Sequence, residues 1–361
     1  MDATSADEGA ALAAAIVPLL GALEGLLFLA RHAHPPEFLD VLDAIGTPED
    51  ALKAGAAGPD APLTHGAVGA RVRGAREAVL SAFADLRAAA LQDGDMRAVL
   101  RALRKGALAQ EMLYPLASAS QATSRFFLSA ALREDAGLIT QAARPAQPHK
   151  TGLIQFGETA SPRGSYALFV PETYTPDKAW PLVVALHGGS GNGRLFLWNW
   201  LRDARGRGAI LLAPTAIGAT WSLLGEDVDT PNILQMVAQV RSLWTIDAGR
   251  ILLTGMSDGG TFTYVCGLQA GSPFTHLAPV AATFHPFLVQ SADRARVKGL
   301  PIFITHGVLD WMFPVESARM ARMTFDAFGA QVVYREIEDL SHCYPSEIND
   351  EILSWVGAGA G

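Results

Sequence analysis

A serine framed by two glycines follows directly after a short apolar run at residues 250–254. Such a run predicts a buried β-strand. Gly255 and Gly259 lie two positions on either side of Ser257, in a G-x-S-x-G pattern that is typical of a sharp turn from strand to helix. Side chains at the two glycine positions would collide with neighbouring backbone in such a turn. The pattern therefore predicts strand, tight turn and helix, with the Ser257 hydroxyl raised above one edge of a sheet.

Ser257 is a candidate nucleophile in this setting. The N–H of Asp258 would lie near the start of the following helix, where unpaired donors and the helix dipole stabilise a negatively charged oxygen. The pattern by itself is weak evidence, because an ordinary turn between a strand and a helix can also contain a serine. The assignment of Ser257 as nucleophile therefore depends on a suitable base and acid elsewhere in the chain.

The composition limits the classes of protein to consider. The chain has 361 residues, of which 50% are apolar, and its net charge is −8. This length favours two domains, and the lack of a dense basic stretch argues against a nucleic-acid partner. Cys266 and Cys343 make no disulfide framework and fit a reducing compartment. Cys343, beside His342, is an alternative nucleophile, although a small packed residue is the commoner role.

The N-terminal region predicts an all-α helical bundle domain at 1–148. Its run at 10–30 is very apolar, but the acidic residues before it differ from a signal peptide, and Pro18 and Glu24 argue against a membrane span. We expect a cytoplasmic protein without a stable membrane span. The domain is a candidate for capping the site, forming a homo-oligomer or contacting a partner. Helices are expected at 8–32, 36–57, 64–92 and 94–137, with a break in the second around 46–48 and loops at 55–62 and 93–95. His32 and His34 raise the alternative of a metal pair, but no further ligands complete a set there.

Residues 149–361 predict an α/β domain. Pro145 and Pro148 lie among polar residues, so we place the boundary near 148. Short apolar runs then alternate with helical segments, which predicts a mainly parallel sheet covered on both faces, with ligands at the carboxyl ends of its strands. Strands are expected at 166–170, 181–186, 209–213, 250–254, 276–282, 301–305 and 331–337, and helices near 194–206, 231–244, 261–270, 315–328 and 346–356.

Three loops at such strand ends carry further candidates. The glycine-rich loop 187–193 follows a strand and could bring the N–H of Gly189 to a reacting oxygen, as a second oxyanion donor. A phosphate loop is the alternative, but the Lys-Ser/Thr ending of a Walker motif is missing. Asp310 could orient a histidine, or cap a helix. His342 is the candidate base, with Glu338 and Asp339 as alternative acids.

The order Ser257, Asp310, His342 resembles that of the α/β-hydrolase superfamily. The nearest branch is the phospholipase/carboxylesterase group, with the related polyhydroxybutyrate depolymerase and feruloyl esterase lines. The resemblance rests on segments at 166–171, 181–189, 246–250, 255–260, 306–314 and 341–342. Pro314 stands one residue later than is usual, and residues 1–148 are not covered.

The resemblance implies an α/β-hydrolase fold in which Ser257 is the nucleophile, Asp310 the acid and His342 the base. Gly189 and Asp258 would be backbone oxyanion donors, and no metal or organic cofactor is implied. The expected protein is a serine carboxylesterase that forms an acyl-enzyme. Alternatives are a polyester or thioester hydrolase, an acyltransferase with the same triad, and a non-catalytic binding module.

Aromatic residues near the predicted strand ends indicate an apolar substrate pocket. Several of them could instead belong to the core. Since no arginine is clearly placed to bind a charged group, we expect a small, neutral, hydrophobic ester as substrate. The predicted pocket residues are Trp311, Trp221, Trp198 and Phe313.

Overall fold

The structure is a computed structural model that describes residues 3–54, 66–91, 95–148, 150–156, 163–290 and 292–358. The loop predicted at 55–62 lies outside these residues, as does most of the turn predicted at 93–95. The chain divides into two compact units, Met1–Pro145 and Ala146–Gly361.

The first unit is helical, as predicted. Its two long helices have apolar residues at a helical spacing, and Leu23 of the first and Val79 and Phe83 of the second are fully buried. The helices are α1 (Ala3–Arg31), α2 (Phe38–Ala44), α3 (Asp50–Ala54), α4 (Gly66–Ala90), α5 (Met96–Leu103), α6 (Lys105–Leu113), α7 (Gln121–Phe126) and α8 (Ala136–Ala142).

One predicted helix is broken in the structure, and a predicted break in another is confirmed. The segment predicted at 94–137 forms several short helices, because it contains residues that end one helix and cap the start of the next. Pro115 lies in a 3₁₀ turn, and the side chains of Ser120 and Asp135 each accept a backbone N–H at the start of a new helix. The break predicted around 46–48 is confirmed, because α2 ends just before Gly46, which has a φ of +64°. Such an angle is outside the helical region and favours glycine.

Residues Leu12–Arg31 of α1 form a segment long and apolar enough to cross a membrane, by length and composition alone. A buried core helix or a signal sequence meets the same criterion. Of this segment, 44% is buried inside the structure. Glu24 does not stand alone there, since it pairs with Arg133 at 2.7 Å. The expected lack of a membrane span stays a prediction.

An eight-stranded sheet forms the centre of the second unit, in the order β1-β2-β4-β3-β5-β6-β7-β8. β2 runs antiparallel to both of its neighbours, β1 and β4, and the six strands from β3 to β8 pair in parallel. The mainly parallel sheet is therefore confirmed, whereas β1 was not predicted. The strands are β1 (Gly152–Phe156), β2 (Tyr166–Val170), β3 (Trp180–Leu186), β4 (Ile210–Pro214), β5 (Ile246–Met256), β6 (His276–Val280), β7 (Pro301–Gly307) and β8 (Gln331–Ile337).

Both faces of the central strands are covered. Every residue of β4 and β6 is buried, although successive side chains point to opposite faces. Fully burying a large aliphatic side chain contributes about 1.5–3 kcal/mol, so these continuous apolar runs stabilise the layered architecture. The helices of this unit are α9 (Gly193–Phe196), α10 (Leu201–Arg207), α11 (Asp229–Leu243), α12 (Asp258–Gly267), α13 (Phe287–Gln290), α14 (Arg294–Val297), α15 (Glu316–Ala327) and α16 (Asn349–Ala358).

Candidate active site

The turn after β5 has the predicted strand–turn–helix form. Ser257 has φ 58° and ψ −122°, a conformation that costs free energy for a residue with a side chain. The turn is close to the neighbouring strand, since a Cβ atom at Gly259 would lie 2.5 Å from the carbonyl oxygens of Leu186 and His187. Glycine is therefore required there by the close approach of β3. The helix α12 begins directly afterwards, at Asp258.

The structure brings together the three side chains of the predicted triad. Nε2 of His342 lies 3.0 Å from Oγ of Ser257. Nδ1 of the same ring lies 2.8 Å from Oδ2 and 3.0 Å from Oδ1 of Asp310. Asp310 thus takes the position beside the imidazole for which Glu338 and Asp339 were alternatives. A hydroxyl, an imidazole and a carboxylate in this order can transfer the hydroxyl proton to the imidazole.

The carboxylate of Asp310 is buried and well satisfied. Its Oδ1 accepts the N–H groups of Met312 at 2.9 Å and Phe313 at 2.8 Å. Burial alone would raise its pKa, but hydrogen bonds from His306 and His342 outweigh burial and hold the pKa of Asp310 well below its usual range. The carboxylate therefore stays ionised. It caps a turn rather than a helix, because α15 begins only at Glu316.

The glycine-rich loop after β3 lies against the serine turn. A Cβ atom at Gly188 would lie 3.4 Å from Cβ of Ser257, and one at Gly189 would lie 2.7 Å from Oδ2 of Asp258. Among the described residues, the N–H groups of Gly189 and Asp258 donate no hydrogen bond to the protein. Both donors are therefore open to a ligand, as an oxyanion site requires.

Two contacts tie this loop to its surroundings. Oγ1 of Thr220 donates to Oδ2 of Asp258 at 2.6 Å. Next to it, the N–H of Ser190 donates to the carbonyl of Ala219 at 3.1 Å. The segment after β4 therefore holds both the loop and the first residue of α12. Neither contact was predicted, since the partners are far apart in the sequence.

His187, the first residue of the same loop, joins it to the segment after β4. It is 1% exposed, and its Nδ1 lies 2.7 Å from the carbonyl of Gly188. Its Nε2 accepts the N–H of Ala216 at 3.1 Å, so Nδ1 carries the only ring proton. Burial lowers the pKa of His187 to about 4. The ring is therefore neutral at pH 7 and fixes the loop through one donor and one acceptor.

We expect stability to fall as the pH drops from about 6.5 to 4. In that window the unfolded chain binds a proton at His187 that the folded protein excludes, so acid favours unfolding. From pH 7 to 5 this group contributes a loss of about 2 kcal/mol in the free energy of unfolding. Urea unfolding at both pH values would measure the loss in wild type and in His187→Gln, which keeps a donor and an acceptor but does not titrate. An equal pH dependence in the two proteins would contradict this assignment.

The predicted pocket residues do not share one environment. Trp221 is 2% exposed, donates from Nε1 to the carbonyl of His187 at 2.7 Å and stacks on Phe262. Its prediction as a pocket residue is therefore wrong, because it belongs to the core under the loop. Trp198 is also buried. Trp311 is 49% exposed, and the ring of Phe313 meets the His342 ring edge to face at 5.2 Å.

The other sequence candidates lie outside this cluster of contacts. Cys266 and Cys343 are both buried as free thiols. Nδ1 of His32, which directly follows α1, lies 2.9 Å from the carbonyl of Phe28 in that helix. Within the described parts of the chain, no group of three or more His, Cys, Asp or Glu side chains is arranged to hold a metal ion.

Comparison with known proteins points to esterases. No protein-family model matches the chain. It is 28% identical over 147 residues to a bifunctional acetylxylan esterase/xylanase of Neocallimastix patriciarum, a match that covers 40% of this chain and 21% of that protein. It is 27% identical over 169 residues to feruloyl esterase C of Emericella nidulans, covering 44% of this chain and 60% of that protein.

Among solved structures, a thermostable esterase is similar with a TM-score of 0.43 and 22% identity, over 59% of this chain and 60% of that one. The chain therefore spans less than two thirds of the length of each of these proteins. The two curated relatives are named as esterases, in agreement with the carboxylesterase-like resemblance of the sequence.

Proposed function

We propose that the second unit is a serine carboxylesterase that hydrolyses small, neutral, hydrophobic esters. The observation that carries the proposal is the unbroken chain of contacts from Asp310 through His342 to Ser257. The esterase names of the sequence relatives support the same class of reaction.

The proposed first step forms an acyl-enzyme. Oγ of Ser257 attacks the ester carbonyl while Nε2 of His342 takes its proton. The carbonyl oxygen becomes an oxyanion near the N–H groups of Gly189 and Asp258, and each such donor is worth about 3–4 kcal/mol in the transition state. His342 then gives the proton to the alkoxide leaving group, and the C–O bond of the ester breaks.

The proposed second step releases the acid. Water enters, His342 takes one of its protons, and the resulting hydroxide attacks the acyl carbonyl. Collapse of the second oxyanion breaks the bond to Oγ, and Ser257 recovers its proton from His342. Throughout, Asp310 remains ionised and stabilises the imidazolium. The preference for an apolar substrate rests on the exposed Trp311 and on Phe313 beside the base.

A fluorophosphonate probe and a series of p-nitrophenyl esters from acetate to laurate test the proposal. We expect the probe to label Ser257, identified by peptide mass spectrometry, and the labelled protein to lose its esterase activity in proportion. Rates should be highest for one range of acyl lengths, which sizes the pocket. A protein that neither releases p-nitrophenol nor reacts with the probe is not an esterase of this kind. Faster p-nitrophenol release with added methanol, with methyl ester as product, would indicate an acyltransferase instead.

A further inference from the structure

A second histidine, which the proposed steps do not use, lies against the carboxylate of the triad. His306 is the last residue but one of β7, and it is 1% exposed. Its Nε2 lies 2.9 Å from the carbonyl oxygen of Phe313 and 3.3 Å from Oδ2 of Asp310. A carbonyl oxygen can only accept a hydrogen bond, so Nε2 carries a proton. The positive end of this N–H bond therefore lies beside the carboxylate.

The same proton closes the loop after β7. Phe313 accepts from His306 with its carbonyl and donates its N–H to Oδ1 of Asp310 at 2.8 Å. One oxygen of Asp310 is therefore held by backbone donors, and the other faces two imidazoles. The distances from Oδ2 are 2.8 Å to Nδ1 of His342 and 3.3 Å to Nε2 of His306.

We propose that His306 is a positioning residue, which closes the loop around Asp310 and partly neutralises Oδ2, and so limits how strongly Asp310 stabilises protonated His342. This inference rests on the proposed function, because it gives His306 a part in the same reaction. The low pKa of Asp310 agrees with it, since the hydrogen bond from His306 is one of the causes that overcome burial.

Charged groups from the neighbouring elements also face His306. Glu336 stands opposite it in the register of β8. That carboxylate is engaged elsewhere, because Nε of Arg319 from α15 donates to it at 3.0 Å and the hydroxyl of Tyr334 at 2.6 Å. The carboxylate of Asp310, in contrast, has its Oδ2 at 3.3 Å from Nε2 of His306.

The test is the pH dependence of kcat/KM for p-nitrophenyl acetate in His306→Phe and His306→Gln. Without this N–H, the charge on Oδ2 of Asp310 is no longer partly offset, and the carboxylate stabilises the protonated form of His342 more strongly. His342 is then free to accept the Ser257 proton only at a higher pH. For His306→Phe we expect the acidic limb of the profile to move up by about half a pH unit and the plateau to fall about tenfold. His306→Gln offers an amide N–H and should lie nearer to wild type.

The control is His276→Phe, which removes another buried imidazole from the same sheet. His276 is 4% exposed in β6 and bonds to Thr275, so this variant reports the loss of a buried histidine alone. It should leave the acidic limb unmoved. If the limb moves equally in both Phe variants, or in neither, the inference is overturned.

A double-mutant cycle separates action through Asp310 from a general effect on the fold. In an Asp310→Asn background, His306→Phe should change kcat/KM by much less than tenfold, whereas a fully additive loss overturns the inference. If His306→Phe does not fold, His306→Gln decides. An acidic limb that moves up by less than half a pH unit supports the inference, and a limb that stays at the wild-type position overturns it. Failure of the proposed function looks different: wild type would then be inert towards both ester and fluorophosphonate.

Discussion

Replacement of Ser257 by alanine is expected to lower kcat/KM for p-nitrophenyl esters by at least about 10³-fold. The variant keeps the strained turn and the open N–H donors of Gly189 and Asp258, but it has no oxygen to form an acyl-enzyme. What remains is water attacking a bound ester near the oxyanion donors. Initial rates at pH 8 for both proteins at equal protein concentration measure the loss, with the wild-type active sites counted by fluorophosphonate labelling.

The matched control is Ser354→Ala on α16. Its hydroxyl donates to the carbonyl of Asp350 one turn earlier, so the variant removes a serine oxygen without touching the triad. Its activity should equal that of wild type. If Ser257→Ala retained full activity while the control did too, the nucleophile would lie elsewhere, and alkylation of Cys343 would test the thiol alternative. If wild type were as inert as Ser257→Ala, a binding module on the same fold would become the better hypothesis.

The parts of the fold that follow from continuous apolar runs were predictable from sequence. β3 and β4 are buried on both faces, and their runs of Val, Leu, Ile and Ala admit few other structures. Strand ends were harder to predict. β6 stops at Val280 rather than at 282, because Ala281 takes a φ of +47°, which no local pattern indicates. β5 begins four residues earlier than expected, since Ile246 pairs with Trp180 of β3 ahead of a shift in the register of the two strands.

The triad could be predicted because each member follows a strand, and parallel strands present their carboxyl ends at one edge. The supporting histidines could not be assigned in this way. His187 acts on Ala216 and His306 on Phe313, and such contacts depend on how separate loops meet. A shared signal does exist: both histidines directly precede a glycine at the end of an apolar strand. Trp221 was predicted in the pocket only because it is an aromatic residue near a strand end, and such a residue can equally belong to the core.

Asp310→Asn is expected to lower kcat/KM by about 10³- to 10⁴-fold while the protein stays folded. Asparagine can still accept the N–H groups of Met312 and Phe313 with its amide oxygen, so the turn survives. Its NH₂ group then faces Nδ1 of His342 and makes that nitrogen the acceptor. The ring proton moves to Nε2, and His342 can no longer take a proton from Ser257.

The pH dependence of stability gives a second measure of the same change. Because the pKa of Asp310 is held below that of an unfolded aspartate, the ionised carboxylate stabilises the fold above pH 4 and loses this contribution as the pH falls further. The wild type should therefore exceed Asp310→Asn in unfolding free energy near neutral pH, and the difference should shrink in acid. Asp350→Asn, which breaks the partly exposed ion pair with Arg207, serves as the control and should keep its activity. An Asp310→Asn enzyme with wild-type kcat/KM would remove Asp310 from the triad and return Glu338 and Asp339 as the candidates to be mutated next.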